Sequence, residues 1–126
     1  MIYEDRLKKG KEFEDKLFKE LQRYNEIPHG SDRVIWRDGQ PIWVEIKSSM
    51  TIEWESWLDQ WKIKSKGYKV ILIGKDCETD IIMADWIENI KIIGPLKGNK
   101  KTGSGNPFGI VKFKRILKKF LEDELQ

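Results

Sequence analysis

The stretch DRVIWRDGQPIWVEIKS, Asp32 to Ser48, decides how this chain is built. Two apolar-rich runs, Asp32–Arg37 and Ile42–Ser48, flank Asp38-Gly39-Gln40-Pro41. Asp-Gly between such runs is a strong hairpin signal. A two-residue turn over Asp38-Gly39 or Gly39-Gln40 pairs positions whose numbers sum to 77 or 79. Because side chains alternate, either register puts Asp32, Val34, Trp36, Trp43, Glu45 and Lys47 on one face. A strand that begins Trp-Val and continues Ile should bury itself, yet it holds a carboxylate and an ammonium on that face. Either the two charges form the wet side of a half-buried strand, or the strand exists to hold them.

Facing residues of an antiparallel pair lie about 4.5–5.5 Å apart, which sets Asp32 opposite or diagonally near Glu45. Two carboxylates that close repel one another unless a proton or a cation sits between them. Lys47 cannot both neutralise that site and remain a free charge. A hard divalent ion such as Mg²⁺, held by carboxylate oxygens at about 2.0–2.1 Å, resolves the conflict, and Mn²⁺ should substitute. The backbone carbonyl of Ile46 could supply a further ligand. Such an ion polarises a phosphoryl oxygen and acidifies a bound water, while a neighbouring Lys positions that water or offsets developing charge. Taken alone, Glu45-x-Lys47 is a common triplet and reads as an ordinary solvated strand face. The carboxylate of Asp32, across the hairpin from it, gives it meaning.

Outward from the hairpin, residues 4–25 read as a helix. Leu7, Gly10, Phe13/Glu14, Leu17, Leu21 and Tyr24 recur at three- and four-residue steps, with Phe18 widening the stripe. Pro28, His29, Gly30 and Ser31 break that pattern, and His29 reads as a turn residue. A second helix carries Trp54, Trp57, Leu58 and Trp61 at helical spacing and ends near Gly67. These Trp residues read as packing, in the core or at a dimer interface, whereas Trp36 and Trp43 are expected to project, exposed, beyond the sheet. Lys69–Gly74 (KVILIG) looks like a strand buried on both faces. Ile81–Met83 reads as a strand and Ala84–Ile90 as a short helix. Residues 94–109 read as a loop rich in Gly, Lys and Asn. A final amphipathic helix has Phe113, Ile116, Leu117, Phe120 and Leu121 as its stripe. With no internal repeat and no linker, residues 1–126 form a single α/β domain, its central mixed β-sheet flanked by helices.

Composition narrows the partners. The charged fraction is 36%, but 39% hydrophobic residues, six of them Trp, suffice for a core. A net charge of +3 identifies nothing by itself; its distribution says more. Met1–Glu26 carries seven acids and seven bases, whereas Gly94–Leu121 carries eight bases and no acid. Lys97, Lys100, Lys101, Lys112, Lys114 and Arg115 in that stretch are candidates for contacting a polyanion. A single cysteine, Cys77, excludes an intrachain disulfide and a multi-thiolate metal site. The opening MIYEDRLKKGKE lacks the apolar run of a signal peptide, and no span is long enough for a bilayer, so a cytoplasmic protein without membrane attachment is expected.

Together, KKGKEFEDKLFKEL with Gly10 and Glu14, HGSDRVI with Asp32, WVEIKSS with Glu45 and Lys47, and KVILIG in the expected order resemble the PD-(D/E)xK nuclease superfamily. Within it, the likeness is to archaeal Holliday-junction resolvases and their viral relatives, and it extends from the first helix to the end of KVILIG at Gly74. The family's Pro before the Asp is replaced by Ser31, and the C-terminal third does not align. The resemblance implies a restriction-endonuclease-like fold and a Mg²⁺-dependent endodeoxyribonuclease cutting branched DNA as a homodimer, in a cell's or a viral host's cytoplasm, with no small-molecule cofactor. It assigns Asp32 and Glu45 as metal ligands and Lys47 as the catalytic lysine, and Glu14 completes the acidic cluster. Glu12 is the rival of Glu14. Two positions apart, about 200° round the helix, the two cannot both face the site, and Glu14 lies closer to the Gly10–Leu17–Leu21 stripe. Gln60 either reaches the site or is helix-surface polarity. Ser48, with Ser49, either binds a phosphate or ends the strand. A nuclease acting on linear duplex or single strands, a non-catalytic nucleic-acid-binding module of the same fold and a purely structural interaction protein are the alternatives.

Overall fold

The hairpin takes the register that turns over Asp38-Gly39: Val34 pairs with Trp43 and Arg37 with Gln40. Both central residues of its turn have positive φ, 51° at Asp38 and 74° at Gly39. That combination marks a type I′ turn, whose twist matches the strands it joins. The computed structural model describes residues 3–27 and 33–126. In chain order its elements are α1 (Tyr3–Leu21), β1 (Val34–Arg37), β2 (Gln40–Lys47), β3 (Thr51–Glu53), α2 (Trp54–Ser65), β4 (Lys69–Lys75), β5 (Ile82–Trp86), β6 (Lys91–Leu96), β7 (Phe108–Lys112) and α3 (Leu117–Glu124). Short 3₁₀ turns follow α1 and β5.

Strands β1, β2, β4 and β5 form one mixed sheet in that order, with β2 and β4 parallel and both outer pairs antiparallel. The parallel pair requires a crossover, and β3 with α2 provides it. Alternation then divides the side chains between two cores. Ile42, Val44 and Ile46 of β2 and Ile71 and Ile73 of β4 face Leu17, Phe18 and Leu21 of α1 and Phe120 of α3. Val70 and Leu72 of β4 face the opposite way, against Trp57 of α2, Ile52 and Val111. Five consecutive residues of β4, Val70–Gly74, are buried, as expected of a strand covered on both sides. The molecule is therefore mixed α/β, its central sheet flanked by helices.

A second sheet, β3-β7-β6, was not apparent in the sequence. The expected loop over residues 94–109 shortens to residues 97–107, because β6 runs to Leu96 and β7 begins at Phe108. Gly109 lies so close to β6 that an added Cβ would sit 2.5 Å from Ile92 Cδ1, which explains a glycine inside a strand. The helix expected over Ala84–Ile90 is instead the end of β5 followed by a 3₁₀ turn. Ala84 and Trp86 pair with Ile73 and Ile71 of β4 and pack into the first core. The last helix is also shorter than expected. Phe113 packs into the second core and Ile116 is exposed, as the chain runs beside β5 before α3 begins. Among the described residues no helix is long and apolar enough to cross a membrane.

One buried charge ties this end together. Asp85, 3% exposed, accepts a hydrogen bond from Arg115 Nη2 at 2.8 Å and from the Trp86 amide at 2.8 Å. The same guanidinium reaches Glu124 at 2.9 Å and Asp123 at 3.2 Å and covers the Phe120 ring. The hydrogen bond to Asp85, then those to Glu124 and Asp123, push the Arg115 pKa above its ordinary value. Removing the cation leaves a carboxylate buried and uncompensated. Arg115→Met should lower stability by about 3–5 kcal/mol in urea denaturation, and Asp85→Asn in the same chain should recover part of that loss.

Candidate active site

Glu45 and Lys47 project from the C-terminal half of β2, on the same face as Trp43. What fixes Glu45 is a pair of donors on one of its oxygens. Gln60 Nε2, from α2, donates to Oε2 at 2.7 Å, and Trp43 Nε1, two positions earlier on β2, donates to the same atom at 3.3 Å. The other oxygen, Oε1, faces Lys47 Nζ at 3.7 Å. Glu45 thus has one oxygen saturated and one turned toward the neighbouring charge. Gln60 is 3% exposed, and its Oε1 has no partner among the described residues. A buried amide oxygen left unsatisfied costs about 1–3 kcal/mol, a cost that makes sense where the amide must point its nitrogen at Glu45.

Glu14 approaches from α1. It is half-buried while Glu12 is exposed, and of the two it is Glu14 that lines the cleft. Gly10, one turn earlier, permits the close approach: a Cβ there would lie 2.9 Å from Ser48 Oγ and 3.9 Å from Glu14 Oε2. Arg33 braces the same helix, donating to the Glu14 carbonyl at 3.1 Å and to Asp15 at 3.0 Å. Burial pushes the Glu14 carboxyl above its ordinary pKa; Lys47 and Arg33 oppose that rise, and Glu45 and Asp15 add to it. Glu14, Glu45 and Lys47 therefore form one electrostatic group.

Asp32 and His29 lie outside the described residues. The last described pair of the hairpin is Val34 with Trp43, and Arg33 adopts a positive φ of 67°, so strand alternation cannot be carried past Val34. Among the described residues no group of three or more His, Cys, Asp or Glu is arranged to hold a metal. Two carboxylates, Glu14 and Glu45, are described, near enough for Glu45 to raise the cost of ionising Glu14. Val44 donates its amide to the Arg33 carbonyl at 2.7 Å. Peptide groups two apart on a strand point the same way, so the Ile46 carbonyl also points to the β1 side, beyond the last described pair.

A cleft of about 420 Å³ opens beside this group. One wall is α1, with Arg6, Leu7, Gly10 and Glu14; the floor is Lys47, Ser48, Ser49 and β3; the other wall is the loop from Gly98 to Asn106. Leu7, expected in the core stripe, is 54% exposed because the start of α1 overhangs the cleft. Ser48 lines the cleft, where a phosphate could reach it. Gln60 does not: it is buried and reaches Glu45, so it is not helix-surface polarity.

The basic residues separate in the same way. Lys97, Lys100, Lys101, Lys112 and Lys114 are exposed. Arg115, by contrast, is half-buried and held by three carboxylates. Trp36 and Trp43 are half-buried where exposure was expected, and Trp43 packs against the second core. The role of Trp43 toward Glu45 was missed, although alternation already placed the two on one face. Trp57 is buried, and exposed Trp61 meets it edge to face at 5.9 Å. No family model matches this chain, and no curated protein or solved structure does.

Two outcomes follow. Gln60→Met removes both the hydrogen bond to Glu45 and the unsatisfied oxygen. It should change stability by less than about 1 kcal/mol in urea denaturation. For Glu14, a folded-state pKa raised above the unfolded one means the folded chain holds its proton more tightly. The ionised form is then the destabilising one, and its cost grows as pH rises through the folded pKa. Glu14→Gln should raise Tm at neutral pH in the absence of divalent metal, and the gain should vanish in acid below the unfolded pKa.

Proposed function

We propose that this chain is a Mg²⁺-dependent endodeoxyribonuclease of restriction-endonuclease-like fold, hydrolysing phosphodiester bonds in branched DNA as a homodimer. The orientation of Glu45 carries the proposal: Trp43 and Gln60 hold one oxygen and leave the other beside Lys47. A solvated strand face has no need of two donors from two elements on one carboxylate oxygen. The elevated Glu14 pKa supports it further, since a half-buried carboxylate near a second carboxylate is relieved by a cation.

Glu14, Glu45 and the Ile46 carbonyl, with Asp32, would hold the ion. When bound, Mg²⁺ would supply Lewis acidity at the phosphoryl oxygen and a more acidic water. The chain's own groups do the rest. Lys47 brings a fixed positive charge to the side of the cleft where a phosphate would sit, and there it stabilises negative charge as the phosphorane-like transition state forms. Ser48 offers a hydroxyl to a non-bridging oxygen. Trp43 and Gln60 keep Glu45 from rotating and so act as positioning residues. The exposed lysines would add affinity without reading sequence, through phosphate contacts. The order of elements from α1 to β4, helix, hairpin, a short strand, helix and buried strand, supports this reading.

Purified protein incubated with labelled four-way junctions in Mg²⁺ should cut them. Asp32→Ala, Glu45→Ala and Lys47→Ala should each lose at least about 10²–10³-fold in rate. Absence of cleavage of junction, duplex and single-stranded DNA in both Mg²⁺ and Mn²⁺ would overturn the assignment.

A further inference from the structure

The loop from Gly98 to Asn106 is built as a strap along one wall of the cleft. Its neck is closed by backbone contact: a Cβ on Gly98 would lie 2.2 Å from the Asn106 carbonyl oxygen. Its tip is folded on Asn99, whose side chain accepts from the Lys101 amide at 2.8 Å and whose carbonyl accepts from the Gly103 amide at 2.8 Å. The strap is tied to the opposite wall, where Arg6 of α1 donates through Nη2 to the Thr102 carbonyl. It is tied to the floor as well, where Asn106 Nδ2 donates to Glu53 at 3.4 Å.

The tie between Arg6 and Thr102 marks how closely the two walls approach. The walls stand no farther apart there than one arginine side chain can bridge. A B-form duplex is broader than its own major groove, itself about 12 Å wide, and cannot descend through such a gap to Lys47 and Ser48. One strand can. The lining suits it: amides and hydroxyls of Asn99, Ser104 and Asn106 for phosphate and sugar, and Phe108 as an apolar ring at the end of the loop. Lys100 and Lys101 stand exposed on the strap, where they would attract the backbone.

We infer that the cleft receives the scissile strand unpaired, so that the substrate class is DNA with a single-stranded segment at the cut, such as a flap, a splayed end or an opened branch point. This rests on the nuclease proposed above and narrows it.

The test uses the full chain with Mg²⁺ and three labelled DNAs of one sequence: a single strand, a splayed duplex with unpaired arms, and a fully paired linear duplex. Cutting within the unpaired segments should exceed cutting of the paired duplex at least about 10-fold. Arg6→Ala, or replacement of residues 99–104 by two glycines, should narrow that ratio by freeing or removing the strap. A wild-type ratio near unity overturns the inference while leaving the nuclease intact, and so does a ratio unchanged by both variants. A separate arm measures fluorescence anisotropy with Lys47→Ala in Ca²⁺. It should show the single strand bound more tightly than the duplex, and equal or reversed affinities overturn the inference independently of cleavage. Failure to cut any of the three DNAs while a four-way junction is cut overturns the inference alone, and failure to cut the junction as well overturns the nuclease with it.

Discussion

The carboxylate of Glu45, gripped at one oxygen by Trp43 and Gln60, is the constraint around which the rest of the molecule is arranged. A side chain at the end of a strand would ordinarily rotate among rotamers and be screened by water. Here one oxygen accepts two hydrogen bonds, and charge-assisted bonds of this kind are about twice as strong as neutral ones. The indole comes from the strand itself and the amide from the crossover helix, so local and long-range structure agree on one orientation. The price is an amide oxygen in the interior, Gln60 Oε1, with no partner among the described residues.

That grip depends on the sheet. Gln60 reaches Glu45 because β2 and β4 are parallel, and a parallel pair obliges the chain to return across one face of the sheet. The returning helix, α2, is held by Trp57 against Val70 and Leu72 of β4, so the same core that buries the sheet sets the amide's position. On the other face, Ile42, Val44 and Ile46 anchor β2 against α1, and the Gly10 contact with Ser48 brings Glu14 close. Two cores on opposite faces thus converge on a strand whose end carries the charges. The elevated pKa of Glu14 is the electrostatic counterpart of that convergence: burial strong enough to position a carboxylate also disfavours its charge.

Much of this was legible in the residues, and the reasons differ from place to place. The hairpin could be read because Asp38-Gly39 supplies the left-handed backbone that a type I′ turn demands. The α1 stripe and the buried β4 run were visible because one face, or both, had to be apolar. The second sheet was not visible. Its strands carry Gly94, Pro95 and Gly109, signals that locally mean a loop, and only pairing between distant segments makes strands of them. Ala84–Ile90 was misread for a related reason: over so few residues, periods of 2 and 3.6 are hard to separate, and pairing with β4 decides the outcome. At the site, Glu45, Lys47 and Glu14 are brought together as expected, but the cleft's far wall was hidden because a loop of Gly, Asn and Lys carries no pattern that says where it lies.

Charge shows the same limit more sharply. In the sequence, Arg115 and Lys100 belong to one basic stretch without an acid, and nothing distinguishes them. Folding brings Asp85, Asp123 and Glu124 around Arg115 from a strand and a helix, neutralising it within the molecule. Lys119, too, is met by Asp123 at 3.1 Å. The lysines of the loop keep their charge at the surface because no folded element carries carboxylates to them: Lys97, Lys100 and Lys101 make no ion pair among the described residues. A charge run therefore divides according to whether its members sit on elements that pack. Those that pack recruit counter-ions and serve stability. Those on the strap stay exposed beside the cleft that Glu14 and Lys47 line, which is where a polyanion would need them.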